Sequence, residues 1–95
     1  MSNEVRDNRS SQRFELEVPG GLAFIDYRRA GAVVTLTHAE VPARLQGRGL
    51  GSTLVCGTLE LVRQRGEKVV PRCPFVAAYI QSHPQFQDLL ASRGA

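Results

Sequence analysis

Apolar and polar residues alternate through the first part of the chain, and then the period changes. RFELEV, residues 13–18, sets Phe14, Leu16 and Val18 against Glu15 and Glu17, the two-residue period of a half-buried strand. Pro19, Gly20 and Gly21 break it, and LAFIDYRR (22–29) resumes extended character with Phe24, Ile25 and Tyr27. After a turn signal at Gly31, AVVTLTHAEV (32–41) is the most β-branched run in the chain, and Pro42 ends it. Three strands joined by short glycine turns predict an antiparallel meander. From Leu50 the spacing becomes helical. Leu50, Leu54, Leu61 and Val62 lie near one face, Val55 and Leu59 widen it, and Gly66 is a stop signal. KVVPRC (68–73) predicts a fourth strand. PFVAAYIQSH (74–83) predicts a helix with Pro74 as its first residue, ended before Pro84, and QFQDLL (85–90) a last short helix.

The order β-β-β-α-β-α defines an α+β, or mixed α/β, fold. A helix carrying the chain from the third strand to the fourth predicts that these two run parallel. Residues 1–11, polar and rich in Ser, Asn and Arg, read as a flexible tail, and 12–95 as one domain. At 95 residues there is no room for a second core.

Composition narrows the setting. No apolar run approaches the ~20 residues of a membrane span, and the N-terminal residues are too polar for a signal peptide. The expectation is a cytoplasmic protein that does not engage a membrane. A net charge of +3 is spread among acidic residues rather than gathered, and there is no Trp to stack on bases, so nucleic acid is not an expected partner. Cys56 and Cys73 read as free thiols, and two Cys and two His without close spacing give no metal site.

The chemistry gathers around VPARLQGRGLGSTLV (41–55). Three glycines stand just before and inside the start of a helix, whose N-terminus offers unpaired amides and a partial positive charge suited to phosphate. Glycine also lets a ligand approach the backbone without a Cβ in the way. A tight turn alone needs one such residue. A Walker A loop is excluded because no Gly-Lys-Ser/Thr follows, and a G-x-G-x-x-G dinucleotide fingerprint fails because Ser52 stands where its third glycine belongs. Beside the loop, His38 and Glu40 sit two apart at the end of the third strand and so share a face. His38 serves as a base or as a half-buried histidine hydrogen-bonded to the sheet, and Glu40 as a base or as a surface carboxylate. Cys73, just before Pro74, falls at the N-cap of the second helix, where the dipole and the neighbouring Arg72 favour a thiolate; the other reading is a small buried hydrophobe. Cys56, mid-helix and flanked by apolar residues, reads as a small hydrophobe. Tyr79 reads as core, and His83 as a cap on the helix C-terminus.

Gln46-x-x-Gly49-x-Gly51 resembles the pyrophosphate loop of GNAT-type N-acetyltransferases. Together with the strand before it, the helix after it and the Cys73-Pro74-Phe75-Val76 block, it is similar to the smallest single-domain branch of that superfamily, over roughly residues 14–90. The resemblance implies a minimal GNAT-like fold and acetyl-CoA or coenzyme A held by Val41, Gln46, Gly47, Arg48, Gly49, Gly51 and Ser52. It implies His38 and Cys73 as the candidate catalytic pair, with His38 as base and Cys73 as acyl acceptor or general acid. Tyr79 stands near a helix tyrosine that larger members use as an acid. The acceptor is an amine, and the chain ends where larger members add strands that wall the acceptor pocket. The site is therefore either open or completed by a second subunit, and a monomer or weak homodimer is expected. The alternative is a coenzyme A or acyl-CoA binding module without catalysis.

Overall fold

The computed structural model describes residues 4–91. One five-stranded sheet, in the order β1-β2-β3-β4-β5, carries both helices and the C-terminal turns on one face. β2 (Arg13–Val18), β3 (Gly21–Ala30) and β4 (Val33–Glu40) form the expected meander. Its first turn is two residues long, and Gly20 takes φ +93°, which its neighbour Pro19 cannot adopt. α1 (Leu50–Gln64) crosses to β5 (Lys68–Pro71), which pairs parallel to β4 as the crossover requires. α2 (Pro74–Ser82) and a 3₁₀ segment (Pro84–Leu89) complete the chain. Beyond that segment Leu90 bridges Val69 in parallel, and Ala91 N–H donates to Val69 C=O (2.8 Å), covering the free side of β5.

The alternation read from sequence fills one layer. Phe14, Leu16, Ile25, Tyr27, Val34, Leu36 and Val69 face the helices and are buried. Fully burying each large apolar side chain is worth about 1.5–3 kcal/mol relative to exposure. On α1 the buried stripe is Leu54, Val55, Thr58, Leu59 and Val62, while Leu50 and Leu61 sit at its margins. The helix ends in a Schellman motif: Gly66 at φ +70° donates to Arg63 C=O, and Glu67 donates to Val62 C=O (3.0 Å).

The segment expected to be a tail contributes a strand. β1 (Arg6–Asn8) pairs antiparallel with residues 13–15 of β2. Its anchors are not an apolar stripe, which is why composition read as a tail. Val5 presses on α1 at Gly57, where a Cβ would stand 2.4 Å from Val5 Cγ2. Asp7, its side chain only 2% exposed, accepts from Tyr27 Oη (2.6 Å) and Arg65 (2.7 Å), with Arg29 at 3.4 Å and Arg9 at 3.6 Å. Burial alone would raise the Asp7 pKa, but the hydrogen bonds from Tyr27 and Arg65 and the charges of Arg65 and Arg29 hold it below its ordinary value. Glu15, also buried, accepts from Arg6 (3.3 Å) and Asn8 (3.0 Å).

Candidate active site

β4 pairs with β3 as far as Glu40 but with β5 only over Val33–Leu36. Leu36 C=O then accepts from both Arg72 N–H (2.9 Å) and Cys73 N–H (3.0 Å), where the chain leaves the sheet for α2. Residues 37–40 therefore have no strand on that side, and the sheet opens into a notch. On its helix face lies a cavity of about 470 Å³. Ala39 and Val41 line it from β4 and its end, Gln46, Gly47 and Gly49 from the loop, Leu50, Gly51, Ser52 and Leu54 from α1, and Phe75 from α2.

The loop is built as a helix entrance without a cap of its own. Gly47 and Gly49 take φ +84° and +76°, left-handed conformations that cost another residue about 1–2 kcal/mol. Gly49 is the N-cap and supplies no side-chain hydrogen bond. The first intrahelical bond runs from Thr53 N–H to Gly49 C=O (3.1 Å), so the amides of residues 50–52 have no carbonyl of their own helix to meet. Gln46 lines the cavity while its Nε2 donates to Val41 C=O (3.0 Å), tying the loop to the strand end. Arg48, exposed between the two left-handed glycines, lies off the cavity wall and has no hydrogen-bond or ion-pair partner among the described residues. Gly51 lines the cavity and also makes room for a neighbouring helix. A Cβ there would stand 2.9 Å from the Phe75 ring, so the glycine makes room for a side chain of α2.

The two helices run in the same direction. Phe75 meets Gly51, Tyr79 lies beside Cys56 one turn on, and Asp88 beyond α2 pairs with Arg63 (2.9 Å). Both N-termini thus face the notch, and two positive dipole ends share it. Cys73 is the N-cap of α2, with Pro74 in the first turn as its sequence implies. It is only 5% exposed and does not line the cavity.

His38 and Glu40 do share a face, with Nε2 and Oε1 3.1 Å apart and both side chains exposed. That face is the one away from the helices. A bulge at Thr37 is the cause: Tyr27 pairs with Leu36 and Asp26 with His38, leaving Thr37 extra, its hydroxyl donating to Asp26 C=O (3.2 Å). Strict alternation would aim His38 with Val34 and Leu36 at the helices; the inserted residue sends Ala39 and Val41 there instead. His38 and Cys73 are consequently on opposite sides of the sheet rather than together.

Tyr79 packs between α1 and His83, whose ring stacks on it (3.8 Å between centroids, 9° between planes). Burial, and then the hydrogen bond with Cys56, push its pKa up to about 12, so it stays a neutral phenol in the helix interface. His83 is the C-cap of α2, its Nδ1–H donating to Tyr79 C=O (2.7 Å). Sequence reasoning missed Phe75, Ala39, Leu50 and Leu54 as cavity residues. Only Phe75 carried a signal, an aromatic in the first turn of a helix next to a glycine-rich entrance. No helix among the described residues is long and apolar enough to cross a membrane.

The family model for GCN5-related N-acetyl-transferases matches residues 13–89, and the chain belongs to that family, whose members use acetyl-CoA as cosubstrate. A search of curated proteins finds no match. Among solved structures, the chain is similar to a GCN5-like protein from Staphylococcus aureus, named as a candidate N-acetyltransferase and determined in solution by NMR. The two are 25% identical with a TM-score of 0.70, over 97% of this chain and 92% of that one. Membership of an acetyltransferase family favours the enzyme over the binding-only module.

Proposed function

We propose that the protein binds acetyl-CoA with its pyrophosphate on the amides of residues 50–52 and transfers the acetyl group to an amine. The observation that carries this is the uncapped entrance of α1, held open by two left-handed glycines and leading into the cavity. Helix amides aimed at one point suit an oxyanion of phosphate, and the apolar wall of Ala39, Val41, Leu50 and Leu54 suits the arm beyond it. Val41, Gln46, Gly47, Gly49, Gly51 and Ser52 shape that site, and the exposed Arg48 adds a positive charge beside it.

The notch gives the two substrates separate approaches. The donor lies on the helix face, and the amine comes from the open face, where His38 takes its proton with Glu40 holding the imidazole. Attack on the thioester carbonyl breaks the carbon–sulfur bond. Cys73, at a helix N-terminus on the donor side, then serves in one of two ways: it protonates the departing thiolate, or it accepts the acetyl group first and passes it on. Calorimetric titration with coenzyme A tests the binding part, and its failure ends the reading.

Two substitutions test the chemistry. His38→Ala is expected to lower turnover about a hundredfold while leaving coenzyme A affinity within twofold, because general-base catalysis contributes on the order of 10²–10⁴ in rate. The deficit should narrow as pH rises and more of the amine is already deprotonated; unchanged turnover would remove His38 from the reaction. Cys73→Ser is expected to slow transfer by a comparable factor, since serine fits the N-cap but ionises far less readily. Mass spectrometry after incubation with acetyl-CoA alone separates the two routes: an acetyl group on Cys73 means covalent transfer, and an unmodified Cys73 in an active enzyme means proton donation. Full activity in Cys73→Ser excludes both.

A further inference from the structure

Phe75 is one of only two large hydrophobic side chains the described residues leave exposed, at 47% of its surface. It is not idle there. One edge of its ring sits where a Cβ of residue 51 would be, with Cζ at 2.9 Å and Cε2 at 3.2 Å from that position, so the ring and the absent side chain of Gly51 fit as knob and hole. The same ring lines the cavity opposite Ala39 and Val41. It also stands two residues beyond Cys73, in the first turn of α2, with Val76 beside it buried against the core. We infer that Phe75 is a positioning residue that sets the spacing between the two helix N-termini and is the wall against which the apolar arm of the bound thioester lies.

The physical case has two parts. Exposed aromatic surface at the rim of a cavity is costly in water and is relieved when an apolar group covers it, so the free face of the ring favours occupancy. The seated edge fixes distance: with residue 51 lacking a Cβ, the ring brings α2 against the start of α1, and therefore the Cys73 N-cap toward the amides of residues 50–52. A bulkier residue 51 would push α2 outward, and a smaller residue 75 would let it drift. Helix packing in the interior is close enough that one methyl group is felt. This rests on acetyl-CoA being the occupant, and the test keeps the two apart.

The chain has no tryptophan, so Phe75→Trp introduces a single indole at the site. Coenzyme A titrated into the Phe75→Trp variant is expected to shift its emission to the blue and to shield it from acrylamide. Phe75→Ala should weaken coenzyme A binding about tenfold by calorimetry in a protein whose circular dichroism is unchanged, and Phe75→Leu should restore it to within about threefold, because an apolar side chain still covers the arm. In turnover, Phe75→Ala should also lower kcat, since Cys73 loses its register with the thioester. Gly51→Ala should mimic that loss, and adding Phe75→Leu to it should recover part of the affinity by vacating the space the new methyl needs. If wild-type protein gives no heat with coenzyme A, the acetyl-CoA reading fails and the wall with it. If wild type binds while the emission of Phe75→Trp and the affinity of Phe75→Ala stay unmoved, the cofactor reading stands and the assignment of Phe75 is wrong.

Discussion

Gly49→Val is expected to abolish measurable coenzyme A binding, a loss of about a hundredfold or more, in a protein whose circular dichroism is unchanged. Gly49 is the N-cap of α1 at φ +76°, where a β-branched residue is strained, and relief of that strain turns the first-turn amides away from the cavity. A hydrogen bond to a charged group contributes about 1.5–3 kcal/mol. Losing two of them is worth roughly 3 kcal/mol, or about two decades of affinity. Gly31→Val is the control. Gly31 also takes a left-handed φ, +61°, in the β3–β4 turn and does not line the cavity, so that variant loses some stability and keeps its affinity. Wild-type affinity in a folded Gly49→Val protein would mean that the pyrophosphate lies elsewhere.

Asp7→Ala should lower the melting temperature by roughly 12–40 °C. Removing one partner of a buried charge cluster costs about 3–5 kcal/mol, and in a domain of this size each kcal/mol is worth about 4–8 °C. The change leaves the Tyr27 hydroxyl, Arg65 and Arg29 facing a gap, with Glu67 the remaining carboxylate, 3.5 Å from Arg29. The pH dependence identifies the cause. The folded pKa of Asp7 lies below its unfolded value, so its contribution is complete above the unfolded value of about 3.9 and disappears as pH falls through the folded one. The gap in melting temperature between wild type and Asp7→Ala should accordingly be constant near neutrality and close in acid. A gap independent of pH would mean that packing around β1, not the charge, carries the effect.

Most of the fold is legible because burial is one-sided. Phe14, Leu16 and Val18 against Glu15 and Glu17 leave a single way to lay β2 on a core, and the change of period at Leu50 announces α1. The glycine loop is legible too, since two left-handed residues around Arg48 need glycine for steric reasons. β1 was hidden because charge rather than apolar area holds it: Asp7 looks like any surface carboxylate until Tyr27, Arg29 and Arg65 arrive from distant parts of the chain. The direction of His38 was hidden by the Thr37 bulge. A one-residue insertion reverses which side chains face the helices, and nothing in TLTHAE marks it. That Gly51 also seats the ring of Phe75, twenty-four positions further along the chain, was not legible.

The short first strand also protects the protein from its own kind. A sheet is most open to aggregation at its two outer rails, where unpaired backbone groups can template another chain. At one border β1 offers only three residues, Arg6, Asp7 and Asn8, all polar and the first two charged. At the other, the returning chain at Leu90 and Ala91 occupies Val69 of β5. A chain with five strands and few residues to bury them would ordinarily be at risk of edge-to-edge growth while it folds. Here one rail is brief and charged and the other is already taken.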